Sequence, residues 1–257
     1  LPRHEFALED AGRAFRFMAQ ARHAGRIVLR HGPAGMPAIR RDGTYLVTGG
    51  LSGLGLEAAR WLAGRGAGRL VLVGRRGITT EAGPAIEAIR AGGTAVEALS
   101  LDVADEAGLR ALLARLRQEG PPLRGVIHSA GALADAALLQ QDDARFAPVF
   151  AAKVRGSRLL DSLTCGDPLD FLVLFSSVAS VLGSAGQANH CAANAFLDAL
   201  AHERRSRGLP ALSINWGPWA DVGAASDRGV AGRLAAQGLV ALSPAQGIAA
   251  LERLLSG

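Results

Sequence analysis

The chain has 257 residues, a formal net charge of +5 and 49% hydrophobic residues, enough for one large α/β domain with a sizeable core. No stretch approaches about 18 uninterrupted apolar residues, which excludes a membrane-spanning helix, and the two cysteines, Cys165 and Cys191, exclude a disulfide framework. Of the 28 basic residues all but Lys153 are arginine, yet they are scattered among acids and do not interleave with the aromatic residues, so no nucleic-acid partner is expected.

No CxxC or HxxxH spacing points to a metal. The N-terminus lacks both an initiator Met and the charged-then-apolar order of a signal peptide. The expectation is a piece of a longer chain, working in a reducing cytoplasm.

Residues 6–23 read as a helix, with Glu9 and Asp10 early and basic residues late, as the helix dipole favours. A short strand follows over 26–30, then a Pro- and Gly-rich linker over 31–43. From Thr44 strands and helices alternate. The spacing predicts strands at 44–49, 69–74, 94–100, 124–129, 170–176 and 210–215. Helices are predicted at 53–65, 79–92, 105–118, 142–164 and 187–207. Short apolar strands separated by amphipathic helices mean βαβ units, hence a parallel sheet covered on both faces.

The first of these strands runs into Thr48, Gly49, Gly50, Leu51, Ser52, Gly53, Leu54 and Gly55, just before a helix. Glycines there let backbone N–H groups approach a pyrophosphate, and the helix N-terminus favours its charge. A flexible turn in a glycine-rich chain is the plainer alternative; the position at the head of a long βα series favours a dinucleotide. About 20 residues on, an acid would bind a ribose hydroxyl, but Arg75 and Arg76 stand there. A guanidinium suits a 2′-phosphate, so NADPH is expected over NADH, unless these are two solvated arginines. Asp102 and Val103 are placed to touch the adenine. Ser129, Ala130 and Gly131 are placed near the ribose of the cofactor, on the carboxyl edge of the sheet.

The pattern Thr48-Gly49, Gly53, Gly55 resembles the short-chain dehydrogenase/reductase family. VIHSAG (126–131), AAKVRGSRLLD (151–161), FLVLFSSVASVLGSAGQ (171–187), AANAFLDALA (192–201) and LSINWGPWADVG (212–223) narrow the likeness. Together they resemble the ketoreductase domain of a type I modular polyketide synthase. The resemblance implies a Rossmann-type doubly wound parallel α/β sheet with strand order 3-2-1-4-5-6. It implies NADPH-dependent reduction of a β-ketoacyl thioester carried on an acyl carrier protein, with other domains of the synthase as partners. Residues 6–30 resemble the end of an enoyl reductase domain. The expected organisation is therefore an enoyl reductase tail over 1–31, a linker over 32–42 and a ketoreductase catalytic domain over 43–257. The family's structural subdomain has no trace here, and the final sheet strand of the family would follow about where the chain stops.

Ketone reduction needs a proton donor and groups that stabilise the developing alkoxide. The family uses Ser, Tyr, Lys and Asn. By the resemblance Lys153 matches the lysine, which also touches the cofactor, Ser177 the serine and Asn194 the asparagine. A lone lysine in an arginine-rich chain independently singles out Lys153. His190 occupies the tyrosine position, and the one tyrosine, Tyr45, lies in the first strand.

Two readings of His190 stand. Imidazole titrates near pH 6.5, and a neighbouring lysine would leave it neutral with one N–H to donate. It is shorter than a phenol, however, and misplacement by about 1 Å can cost around 10²-fold, unless a water bridges. Alternatively the domain binds cofactor and does not turn over.

In this family an Asp ending a Leu-Asp-Asp triplet marks B-type ketoreductases. Here the triplet is Leu133-Ala134-Asp135, and Leu182 replaces the Trp that marks the A-type, so B-type is expected. Asp135 as a solvated loop acid is the alternative. Pro218, Trp216 and Trp219 are expected at the nicotinamide and acyl groove, or as loop packing, with residues 221–240 as a lid. His128 reads as a structural strand residue.

Overall fold

β3 (Thr44–Thr48) consists of residues that are all buried, with β-branched and aliphatic side chains on both faces, the composition of a strand covered from both sides. It is the centre of a six-stranded parallel sheet in a computed structural model that describes residues 2–21, 23–30, 37–80, 82–220, 222, 238 and 240–256. The chain divides into two units, one made of residues 1–37 and 250–257, the other of residues 38–249.

In the first unit β1 (Arg3–Ala7) pairs in parallel with β2 (Arg26–Arg30), connected through a 3₁₀ turn (Leu8–Asp10) and α1 (Ala11–Ala19). The helix expected over 6–23 is thus corrected. Its first residues are strand, because His4 and Phe6 alternate onto one face, where Phe17 of α1 packs with ring centroids 5.0 and 5.7 Å away. Gly25 makes the close return possible. At φ +98° it lies beside the Pro2 carbonyl, where a Cβ would come within 1.8 Å.

In the second unit β3 is followed by α2 (Gly53–Gly64), β4 (Arg69–Gly74), α3 (Ala82–Ala91), β5 (Ala95–Ser100) and α4 (Glu106–Gln118). Next come β6 (Leu123–His128), a 3₁₀ turn (Leu138–Gln140), α5 (Asp143–Phe150), a π turn (Ala151–Arg155) and α6 (Gly156–Leu163). β7 (Phe171–Ser177), α7 (Ala179–Leu182), α8 (Ala188–Ser206) and β8 (Leu212–Trp216) follow, and α9 (Pro244–Leu255) completes the order, its residues to 249 counted in this unit and those from 250 in the first. The strands lie β5-β4-β3-β6-β7-β8, every pairing parallel. This is the expected 3-2-1-4-5-6 order.

On one face α4, α6 and α8 deliver Leu109, Leu113, Leu160 and Leu197 into a cluster with Leu46, Val126 and Leu172. On the other, α2 and α3 bury Leu56, Leu62 and Ile86. Burial of one such side chain contributes about 1.5–3 kcal/mol before entropy is counted. Arg204 of α8 is fully buried. It donates to the Asp161 carboxylate at 2.6 Å, the Asp161 carbonyl at 3.0 Å and the Pro210 carbonyl at 3.2 Å, tying α6 to the approach of β8.

The single helix expected over 142–164 is also corrected. Pro148, inside α5, lacks an N–H for the helix ladder, and one turn later the helix opens into the π turn before α6 resumes. α9 had no expectation from the sequence. The lid expected over 221–240 falls, apart from Val222, Gly238 and Val240, outside the described residues. Beside it, Leu242 pairs with Trp219, donating to the Pro218 carbonyl at 2.8 Å and accepting from Ala220 N–H at 2.7 Å.

Candidate active site

A cleft of about 1330 Å³ opens along the carboxyl ends of the strands of the second unit. In a doubly wound sheet that is where ligands bind, because the βα connections diverge there. Its floor at one end is the turn from β3 into α2. Gly49 has φ +69°, and a Cβ there would meet the backbone of Ser129 and Ala130 at 2.8 Å. A Cβ on Gly55 would meet the Gly49 carbonyl at 2.2 Å. The glycines therefore let the turn fold tightly against the start of α2 and against the strand next door. Thr48, Gly49, Leu51, Ser52, Gly53 and Leu54 line the cleft; Gly55 lies behind them as packing.

Further along the cleft come Arg75 and Arg76, both exposed, at the end of β4, then Asp102 and Val103 after β5, and Ser129, Ala130 and Gly131 after β6. A cradle that only backbone can fill, at the N-terminus of an α-helix, with two guanidinium groups beyond it, fits a dinucleotide carrying a further phosphate.

Lys153 reaches the cleft from the π turn. Its Nζ donates to the Phe175 carbonyl at 2.8 Å, and Gly131 leaves room for its stem, since a Cβ there would touch Lys153 Cε at 3.4 Å. Burial pushes the ammonium down to about 8, opposed by the charge of Asp198. Ser177 ends β7, with its hydroxyl accepting from Ala179 N–H at 3.2 Å.

His190 lies in the first turn of α8 and lines the same cleft. Burial, followed by the nearby Lys153 charge, pushes it down to about 4, while Asp135 acts in the opposite sense. Its ring is thus neutral at pH 7. Its Nδ1 is buried with no hydrogen-bond partner among the described residues.

Asn194 does not line the cleft. It is fully buried, and its amide donates to the His190 carbonyl at 2.8 Å. The other expected residues do line it: Asp135, Leu182, Trp216, Trp219 and Pro218. Trp216 is the last residue of β8 and not part of the loop after it. It stands edge-on between Phe175 and Trp219, at 5.5 and 5.1 Å, so both indoles form the wall. His128 is buried in β6 against the Thr48 hydroxyl at 2.7 Å, and burial pushes it down to about 3.

Two residues escaped the sequence. Gln187 donates to the Asp135 carboxylate at 3.2 Å, and Asn189, fully buried, donates to the carbonyls of Ala134 and Arg145, each at 2.9 Å. With Ala136 N–H bonded to the Gly186 carbonyl at 2.9 Å, they fasten the strip 134–136 to the start of α8. Amide residues flanking a site carry no charge pattern to flag them; their position beside His190 in GQANH was the one available signal.

A KR-domain family model matches residues 43–221. The chain is 43% identical over 255 residues to a phenolphthiocerol/phthiocerol polyketide synthase of Mycobacterium tuberculosis, an alignment covering 94% of this chain and 12% of that protein. Among solved structures it is similar to an A1-type ketoreductase, with a TM-score of 0.82 and 42% identity over 87% of this chain and 47% of that one. It is also similar to an A-type ketoreductase from a modular polyketide synthase, with a TM-score of 0.81 and 42% identity over 88% of this chain and 48% of that one. The chain spans about an eighth of the curated relative and about half of each solved chain. With its doubly wound parallel sheet and the matched span over most of its length, this chain belongs to the KR family, the ketoreductase domains of modular polyketide synthases.

Proposed function

We propose that the chain reduces a β-ketoacyl thioester, presented by an acyl carrier protein of the same synthase, to the β-hydroxyacyl thioester with NADPH. The observation that carries this reading is that Lys153, Ser177 and His190 share one cleft with the glycine turn and with Arg75 and Arg76. The turn from Thr48 to Leu54 would hold the pyrophosphate, and Arg75 and Arg76 the 2′-phosphate. When bound, NADPH supplies the hydride.

The chain's own groups handle the proton. The Ser177 hydroxyl and the neutral N–H of His190 donate hydrogen bonds to the ketone oxygen and stabilise it as negative charge develops. At neutral pH His190 is uncharged and Lys153 is an ammonium. The alkoxide takes the N–H proton of His190, and the Lys153 ammonium, which lines the same cleft, returns one to the ring. Lys153 then regains a proton from solvent. Asn194 acts by holding the backbone of His190. Asp135 in the cleft wall, together with Leu182 rather than a Trp, supports B-type stereochemistry.

The test is NADPH oxidation with a β-ketoacyl thioester by the parent, His190→Ala and His190→Tyr. Turnover in the parent that collapses in His190→Ala supports proton donation through the histidine. No turnover in the parent, with NADPH still bound and activity in His190→Tyr, would replace the proposal with that of a cofactor-binding scaffold. Arg75→Ala with Arg76→Ala is expected to narrow the preference for NADPH over NADH. The configuration of the product tests the B-type assignment.

A further inference from the structure

Asp198 lies on α8 two turns beyond His190 and one beyond Asn194. Its carboxylate accepts from the Ser213 hydroxyl at 2.5 Å, the Ser180 hydroxyl at 2.7 Å and the Asn215 amide at 2.8 Å. The Asn215 amide also reaches the Ser180 hydroxyl at 2.7 Å and the Ser177 carbonyl at 3.3 Å. The Ser176 hydroxyl in turn donates to the Asn194 carbonyl at 3.1 Å. One carboxylate thus gathers α8, α7 and β8, and through Asn215 the end of β7. The residue just before Ser176 and Ser177, the last two of β7, is Phe175, whose carbonyl holds Lys153.

We propose that Asp198 is the positioning residue of Lys153: it fastens the carboxyl end of β7, from which the Phe175 carbonyl grips the ammonium, and it supplies the counter-charge that keeps this buried cation protonated. The proposal rests on the reductase reading only for its consequence in turnover. An ammonium in a site shielded from water needs an opposite charge to persist. The titratable groups that bear on Lys153 are His128 from β6 and His190 and Asp198 from α8. Both imidazoles are neutral at pH 7 and contribute no charge. Asp198 is the acid that favours the ammonium. Three hydrogen bonds aim at its carboxylate, so its place is fixed before cofactor or substrate arrives.

The sequence offers an unusually clean readout, because Lys153 is the sole lysine. The whole chain labelled with [13Cε]lysine gives a single lysine Cε signal, whose chemical shift is followed against pH without cofactor. The parent is expected to titrate near 8, as the buried group does here. Asp198→Asn keeps the shape and removes the charge, and its midpoint is expected to fall by about half a pH unit or more. Asp198→Ser, which removes the charge with less demand on geometry, is expected to do likewise, while Ser213→Ala, which leaves the charge, keeps the parent midpoint. Parallel turnover profiles should show the alkaline limb moving down by the same amount in the two Asp198 variants. An unmoved midpoint in the charge-removing variants, or an equal fall in Ser213→Ala, overturns the proposal. A parent without turnover but with the expected midpoints overturns the reductase reading alone.

Discussion

The side-chain amide of Asn194 donates to the carbonyl of His190 one turn earlier in α8, at 2.8 Å, so a residue matched to the family's catalytic set spends its donor on helix backbone. Its Oδ1 is buried with no partner among the described residues. Asn194→Ala is expected to lower unfolding stability by only about 1 kcal/mol, since it removes one hydrogen bond and one unpaired acceptor together. Turnover is expected to fall more than tenfold as His190 loses its fixed backbone. Urea unfolding and steady-state kinetics check the two halves; a stability loss that accounts for all the lost activity would refute the positioning role.

Gly55 has no room for a side chain, since a Cβ would meet the Gly49 carbonyl at 2.2 Å. Gly55→Ala must push the turn away from α2, at a cost of about 1–3 kcal/mol. NADPH affinity, read by fluorescence titration, is expected to weaken at least tenfold. Gly64→Ala has open space at its Cβ position and should leave affinity unchanged.

His128 and His190 are held neutral, at about 3 and about 4, against 6.5 for an unburied imidazole. The unfolded chain binds protons there that the folded chain refuses. This contribution to stability is complete above pH 6.5 and drains away as pH falls through about 4 and then about 3. The thermal midpoint should therefore drop steadily from pH 6.5 to 4. A flat profile over that window would mean that both imidazoles ionise in the folded chain as they do in the unfolded one.

The Asp161–Arg204 pair is another point of vulnerability. Asp161→Ala would strand a guanidinium that is fully buried, and a loss of about 3–5 kcal/mol is expected. Adding Arg204→Met should recover part of it, because an apolar side chain has no charge to strand. Denaturant unfolding of the two variants gives the comparison. An equal loss in the single and double variants would place the energy in packing.

The parallel sheet and its cleft were legible because βα alternation dictates a parallel sheet, and a parallel sheet dictates its functional edge; the strand order came from the family resemblance. What escaped was local or directional. Strand β1 was hidden because Ala7, Leu8 and Glu9 have helical composition, while the signal for a strand was only His4 and Phe6 on one face. Pro148 was the sole hint that the helix around Lys153 would break. Motif matching identified Asn194 but not where its amide points. Nothing in the sequence sets Arg204 apart from its neighbour Arg205, although Arg204 faces the core and donates to Asp161. Composition reports that a residue is charged, and only packing decides which face receives it.

The π turn at 151–155 has a consequence for how this stretch tolerates changes of length. A π turn holds about one residue more than the α-helix it interrupts. Deleting one residue from it, other than Lys153, would let α5 and α6 merge into a regular helix whose later residues keep nearly the same facing, because the wide turn spreads one extra residue over about the same rotation. Leu160 and Asp161 would stay in the core. What changes is the facing inside the turn, where Lys153 stands, so this stretch should tolerate the deletion in its fold and not in its cleft.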